Sequence, residues 1–401
     1  MKTRYIPRPL YTDRINAFTG TGMIKVLTGQ RRVGKSYVLL QLIDEIRQRD
    51  PAANIIHINK EDYQFDAIRT HEHLMLFLEK HLGVSGNTYL FIDEVQEISH
   101  FEIALRSLLA IEGWDIYITG SNASLLSGEL ATQLGGRTVE IRIHSLSYNE
   151  FLQFHQFADS AEALLHYIRW GGMPHLVRLP KEDAVIVEYL RNIRHSIILR
   201  DIVGRYNVRN TSFLQDLIRY LADITGSVLS AKRISDYLKS QQINVSPKVV
   251  LEYMIYLESV YLIDRTQRME VSGKKVFEIG DKFYFEDLGM RHALIPFQQH
   301  DIAKVMENLV YHQLKITGHD VFVGKLGDRE IDFIALKQGE KTYLQVTYLI
   351  PDEATHRREF GNLLGIPDNC RKIVVSMDDT ATGSFKGIEH IHLRKFLTNF
   401  N

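Results

Sequence analysis

GQRRVGKS, residues 29–36, decides how the first part of this 401-residue chain is read. It satisfies G-x-x-x-x-G-K-[ST] in full, and its surroundings matter more than the string. MIKVLTG (23–29) precedes it and reads as an apolar strand entering a tight turn. KSYVLLQLIDEIRQR (35–49) follows with the periodicity of an amphipathic helix. A strand, a glycine-bearing turn and a helix together aim backbone N–H groups and a helix N-terminus at phosphate oxygens. Gly29, Gln30, Arg31, Arg32, Val33, Gly34, Lys35, Ser36 and Tyr37 are therefore the expected nucleotide-binding residues. Lys35 is expected to reach the β- and γ-phosphates, and Ser36 to ligate Mg2+.

Outward from the loop, NIIHIN (54–59), TYLFIDE (88–94), WDIYITGS (114–121) and RTVEIRI (137–143) read as further strands, with helical patterns between most of them. That alternation predicts an α/β fold built on a parallel sheet. Such sheets hold ligands beyond the carboxyl ends of their strands. Asp93 stands at one such end and is expected to hold the magnesium, with Glu94 polarising the attacking water. Alone, an acidic pair after a core strand is a common solvated turn; the upstream loop selects the functional reading. Ser121 and Asn122 follow the next strand, and Asn122 is the expected sensor of the γ-phosphate. Arg137, in GGRT, is either a transition-state arginine for a neighbouring subunit's site or a surface turn residue.

With these elements and the phrase GGRTVEIRIHSLSYNEF (135–151), the chain resembles the AAA-type P-loop ATPases of bacteria and archaea. More narrowly, it resembles the bacterial and archaeal family whose ATPase is fused to a C-terminal domain of unknown function. KFYFEDLGMRHAL (282–294), ENLVYHQL (307–314) and REIDFIAL (329–336) look like that domain's recurring phrases. The resemblance implies ATP and Mg2+ as cofactors and hydrolysis of ATP to ADP and phosphate. It implies Lys35, Glu94, Asn122 and Arg137 as the catalytic set, and a homo-oligomer as partner.

Residues 1–150 are expected to form the ATPase core and 151–205 a helical lid, containing EALLHYIRWGG (162–172) and most of AVIVEYLRNIRHSIILRDIVGRY (184–206). Residues 206–295 resemble a winged helix, a fold that often places one helix in the DNA major groove. Its helices are LSAKRISDYLKSQ (229–241) and SPKVVLEYMIYLES (246–259), with Ser246 as N-cap and Pro247 in the first turn. YLIDRTQR (261–268) and KKVFEIG (274–280) are expected to pair as the wing. The second helix reads DNA poorly, because Lys248 is joined by Glu252 and Glu258. Lys232, Arg233, Arg265, Arg268, Lys274 and Lys275 are the candidates for phosphate contact.

Residues 296–401 resemble the PD-(D/E)xK nuclease fold. Glu307, Asp332 and Gln345 match its helix and strand positions, but the lysine position holds Thr347. Threonine carries no charge with which to activate water. Lys325, Lys337 and Lys341 are the module's candidates to stand in, and the expectation is a vestigial nuclease site.

The net charge is −1, so no whole-protein positive field exists to hold nucleic acid. Cys370 is the one cysteine. That excludes an intramolecular disulfide, and with it any zinc site needing two or more cysteines from this chain. MKTRYIPRPLYTDR (1–14) lacks the apolar core of a secretory signal, and no uncharged apolar run is long enough to span a membrane. A cytoplasmic location is expected. Three functions are open at this level: an ATPase acting on DNA, an ATP-controlled switch or scaffold for protein partners, and a metal-dependent nuclease.

Overall fold

A computed structural model describes residues 5–81, 87–123, 134–271, 280–378 and 382–400. The chain divides into two compact units, Met1–His144 with Ser259–Tyr261, and Ser145–Glu258 with Leu262–Asn401.

The first unit opens with helix α1 (Pro9–Asn16), β1 (Ile24–Thr28) and α2 (Lys35–Arg49). β2 (Asn54–Asn59), α3 (His71–Glu79), β3 (Thr88–Asp93), α4 (Phe101–Leu108), β4 (Trp114–Thr119) and β5 (Thr138–Arg142) follow. The five strands form one sheet in the order β2-β3-β4-β1-β5, and every pairing is parallel. Alternate strand residues Ile24, Val26, Ile56, Ile58, Leu90, Ile92, Ile116 and Ile118 form one core with Leu74 and Leu78 of α3 and Leu105 and Leu108 of α4. Burying each such side chain contributes about 1.5–3 kcal/mol. Period-two alternation turns the intervening residues to the other face, where Phe91 and Tyr117 stack at 4.5 Å. Burial on both faces explains why these strands read as near-continuous apolar runs. The parallel α/β architecture expected from the sequence is present.

The second unit begins with helices. Tyr148–His155 starts in a capping box, in which the Ser147 side chain accepts from the Glu150 N–H and the Glu150 side chain accepts from the Ser147 N–H. Ala161–Trp170 follows. The helix Asp183–Ser196 runs into a π-helical stretch, Ile197–Val203. Thr211–Asp223, Ala231–Ser240 and Pro247–Ser259 come next, the second capped by Ser230.

β6 (Ile263–Thr266) pairs antiparallel with β8 (Lys282–Phe285). The expected wing partner, KKVFEIG, falls mostly outside the described residues, as do Lys274 and Lys275. β7 (Arg268–Glu270) joins a seven-stranded mixed sheet in the order β13-β14-β12-β11-β10-β9-β7. Its other strands are β9 (Asp320–Leu326), β10 (Arg329–Lys337), β11 (Glu340–Val346), β12 (Arg371–Ser376), β13 (Thr382–Phe385) and β14 (Ile388–His392). QGEK (338–341) reads from the sequence as a hairpin turn, and that hairpin forms with Lys337 opposite Glu340. Gln338 and Gly339 both take positive φ, 52° and 88°, as a two-residue turn matched to strand twist requires. The strand pair at the chain's end and β7's place in the sheet have no counterpart in the sequence periodicity. Among the described residues no helix is long and apolar enough to cross a membrane.

Candidate functional site

The loop between β1 and α2 lies at the carboxyl end of the parallel sheet. Gly29 has φ 134°, and a Cβ added there would lie 2.1 Å from the Ile143 carbonyl oxygen. The backbone therefore passes too close to the strand end for any side chain. Gly34, also at positive φ (101°), starts α2. Lys35 is buried, and its ammonium donates to the carbonyls of Gly29 at 2.9 Å and Gln30 at 3.0 Å. The cation thus lies across the loop's own concavity. Gln30 is fully buried, and neither side-chain amide atom has a hydrogen-bond partner among the described residues. Ser36 is half-buried and Tyr37 is exposed. Arg31 reaches out to Glu61 at 3.3 Å, and Arg32 takes a left-handed conformation at the loop's exposed tip.

Asp93 ends β3 and is buried. Its Oδ1 accepts the hydroxyl of Thr119, the last residue of β4. The same Thr119 oxygen accepts the Glu94 N–H at 2.9 Å. Glu94 leaves the strand with φ 55°. That left-handed step turns its carboxylate aside from the strand direction, where Ser121 donates to Oε2 at 3.3 Å and the Gln96 amide donates to the same atom. Asn122 is buried one residue further on. The parallel register aligns the ends of β1, β3 and β4, so loop, acidic pair and polar turn share one end of the sheet.

Arg137 does not join them in its own chain. Its carbonyl accepts from the N–H of Ile24, the first residue of β1, and its guanidinium donates to the Leu109 carbonyl at 3.5 Å. It therefore stands at the amino end of the sheet. At about 3.3 Å per residue, the five residues of β1 separate it from the P-loop.

Two contributors carry no local sequence signal. Arg8 is buried against Tyr11 and donates to the Val33 carbonyl at 2.9 Å and the His144 carbonyl at 3.0 Å, bracing the loop. Thr119 reads from its neighbours as a strand residue and nothing more. Its position beside Asp93 follows from the β3–β4 pairing, which no local pattern reveals.

A family model described as an AAA domain matches residues 21–152, and one described as a domain of unknown function (DUF8612) matches residues 161–301. An uncharacterized protein of Haemophilus influenzae is 35% identical over 404 residues, covering 99% of this chain and 100% of that protein. The chain belongs to this family of AAA-domain proteins. The uncharacterized protein MJ1544 of Methanocaldococcus jannaschii is 30% identical over 351 residues, covering 84% of this chain and 77% of that protein. Among solved structures, AMPPCP-bound DnaA from Aquifex aeolicus is similar at 16% identity and TM-score 0.33, over 62% of this chain and 85% of that one. C. elegans PCH-2 is similar at 13% identity and TM-score 0.28, over 63% of this chain and 65% of that one.

In the second unit of the AAA-domain protein, Glu307 on the helix Ile302–Ile316 and Asp332 on β10 come within reach of one ammonium, that of Lys282 on β8. Gln345 stands on β11, where its neighbour Val346 donates an N–H to Asp332 at 2.7 Å. The lysine shown at these carboxylates is Lys282, which is not among the candidates offered by the module's own sequence. Lys282 lies outside the stretch that resembles the nuclease fold, and only the packing of β8 against that helix brings it in. Lys232 and Arg233 are exposed in the first turn of Ala231–Ser240, and Arg265 pairs with Asp281 at 2.7 Å.

Proposed function

We propose that the AAA-domain protein binds ATP with Mg2+ at residues 29–37, hydrolyses it, and couples the cycle to action on DNA through its C-terminal modules. One observation carries the nucleotide reading: Lys35, Asp93 and Glu94 stand at the carboxyl end of one parallel sheet, Asp93 fixed by Thr119 and the other two held by neighbours that a ligand can replace. The loop suits a triphosphate, because the Gly29 backbone has no room for a Cβ and the buried Lys35 ammonium is turned onto the loop's own carbonyls. Lys35 would exchange those carbonyls for phosphate oxygens, which bind a cation more strongly. Ser36 and Asp93 would hold Mg2+, which neutralises charge on the phosphates. Glu94 would release Ser121 and Gln96 to orient the attacking water. Asn122, following Ser121, would read the γ-phosphate. Arg137 would act on a neighbouring subunit's site, since its own P-loop is at the other end of the sheet.

Action on DNA rests on the exposed Lys232 and Arg233 and on the winged-helix resemblance of residues 206–295. A second reading, a switch binding protein partners, is favoured by Leu251 and Ile255, which are exposed on Pro247–Ser259 where a DNA reader presents polar groups. Steady-state ATPase rates with double-stranded, single-stranded and branched DNA separate the two. Stimulation by one DNA form, lost in Lys35→Ala and Glu94→Gln, supports the DNA-coupled machine. A mutant-sensitive rate unchanged by every DNA supports the switch. No mutant-sensitive hydrolysis by the assembled protein would sink the ATPase reading.

A further inference from the structure

Glu307, Asp332 and Gln345, at the nuclease-like positions of the last hundred residues, are the two carboxylates and the amide with which this module would hold a divalent cation. The side chains present do not fit one. The Lys282 ammonium donates to Glu307 Oε1 at 2.8 Å, and it lies 2.7 Å from Glu330 Oε1 and 3.8 Å from Asp332 Oδ1. Its side chain is 3% exposed, against 36% for Glu330, so water reaches the Glu330 carboxylate but hardly the ammonium itself. Tyr284, two residues along the same strand, donates its hydroxyl to the same Glu307 oxygen at 2.6 Å. The second Asp332 oxygen accepts the Val346 N–H at 2.7 Å. Gly226 also packs on Glu307, where an added Cβ would stand 3.4 Å from Oε2.

One oxygen of each carboxylate, Glu307 Oε1 and Asp332 Oδ2, is thus already engaged, and the Lys282 ammonium faces the other Asp332 oxygen. A divalent ion takes carboxylate oxygens at about 2.0–2.6 Å. An ion placed so close to Glu307 and Asp332 would touch the ammonium and be repelled by it. Gln345 Oε1 is buried and without a hydrogen-bond partner among the described residues, but a neutral amide oxygen does not by itself hold a divalent ion. Thr347, in the position where the nuclease fold carries its lysine, contributes no charge. The positive charge shown at this site stands on β8, among the carboxylates.

We propose that Lys282 is a tethered cation that takes the place of the divalent metal in this module, so that its ion pairs with Glu307, Glu330 and Asp332 close the site and no metal binds there. This inference concerns the second unit alone and does not depend on the ATPase reading. Mn2+ binding to the full-length, nucleotide-free protein tests it, measured by calorimetry and by electron paramagnetic resonance. Wild type, Asp332→Asn, Lys282→Met and the double variant are compared. Wild type and Asp332→Asn are expected to bind Mn2+ alike. Lys282→Met, similar in reach but uncharged, is expected to gain one site at least about tenfold tighter than any in wild type, and the double variant to lose it. An Mn2+ equivalent on wild type that disappears in Asp332→Asn would overturn the proposal. So would a folded Lys282→Met, verified by circular dichroism, that gains nothing. If Lys282→Met does not fold, the first pair decides: equal binding supports the tethered cation, and a difference refutes it.

Discussion

Thr119, at the end of β4, donates its hydroxyl to Asp93 at the end of β3 and accepts the Glu94 N–H at 2.9 Å through the same oxygen. One side chain therefore positions both members of the acidic pair. All the groups involved are buried, so losing the hydroxyl leaves a donor and an acceptor unsatisfied at a cost of about 1–3 kcal/mol. Thr119→Val, which keeps the shape, is expected to lower the ATPase kcat by about ten- to a hundredfold, the equivalent of that misplacement in the transition state. Thr119→Ser is expected to retain most of the rate. Equal rates for Thr119→Val and wild type in a steady-state assay would show that Asp93 needs no such support.

Gly29 approaches the end of β5 with no space to spare. Gly29→Ala would force its Cβ onto the Ile143 carbonyl oxygen from 2.1 Å, at a φ of 134° that alanine does not adopt. The loop must shift, and with it the two carbonyls that hold Lys35. Loss of binding to a fluorescent ATP analogue is expected, together with a lowered Tm. Unchanged affinity would mean that the nucleotide is taken by a different shape of the loop.

Arg8 braces the loop from a distant part of the sequence. Arg8→Met removes charge-assisted hydrogen bonds to the Val33 and His144 carbonyls while keeping much of the apolar stem. Destabilisation of about 2–3 kcal/mol is expected from denaturant unfolding. Because the Val33 contact belongs to the loop, ATP affinity is expected to fall as well. A stability loss with affinity intact would assign Arg8 to the fold alone.

His155 is expected to make the protein's stability sensitive to acid. Its ring is buried among Phe151, Phe157 and Trp170, and neither ring nitrogen has a hydrogen-bond partner among the described residues. Burial, then the charge of Lys181 and the neighbouring His166, push its pKa down to about 4. The unfolded chain takes up that proton near pH 6.5, the folded one only near 4, so stability is full above about 6.5 and falls as the pH drops towards 4. His155→Phe is expected to flatten that limb of a Tm-against-pH profile. Glu258 has the opposite sign: burial raises its pKa to about 7, so its contribution declines as the pH rises from about 4.5 to 7. A wild-type profile that shows no His155-dependent loss below pH 6.5 would count against the buried neutral ring.

Local order is enough for much of this protein. GQRRVGKS between an apolar strand and an amphipathic helix already implies the β1–loop–α2 unit, because glycine conformations, strand alternation and helix periodicity act over a few residues. The same locality exposes Asp93 and Glu94 at a strand end and the two-residue turn at Gln338 and Gly339. Tertiary structure alone decided which distant residues meet. Strand order placed Thr119 beside Asp93, since hydrogen-bond register between strands leaves no mark within either one. Packing brought Arg8 to the loop from 25 residues away. It also brought Lys282 to carboxylates on another helix and strand, because a buried charge must find its partners in space and not along the chain.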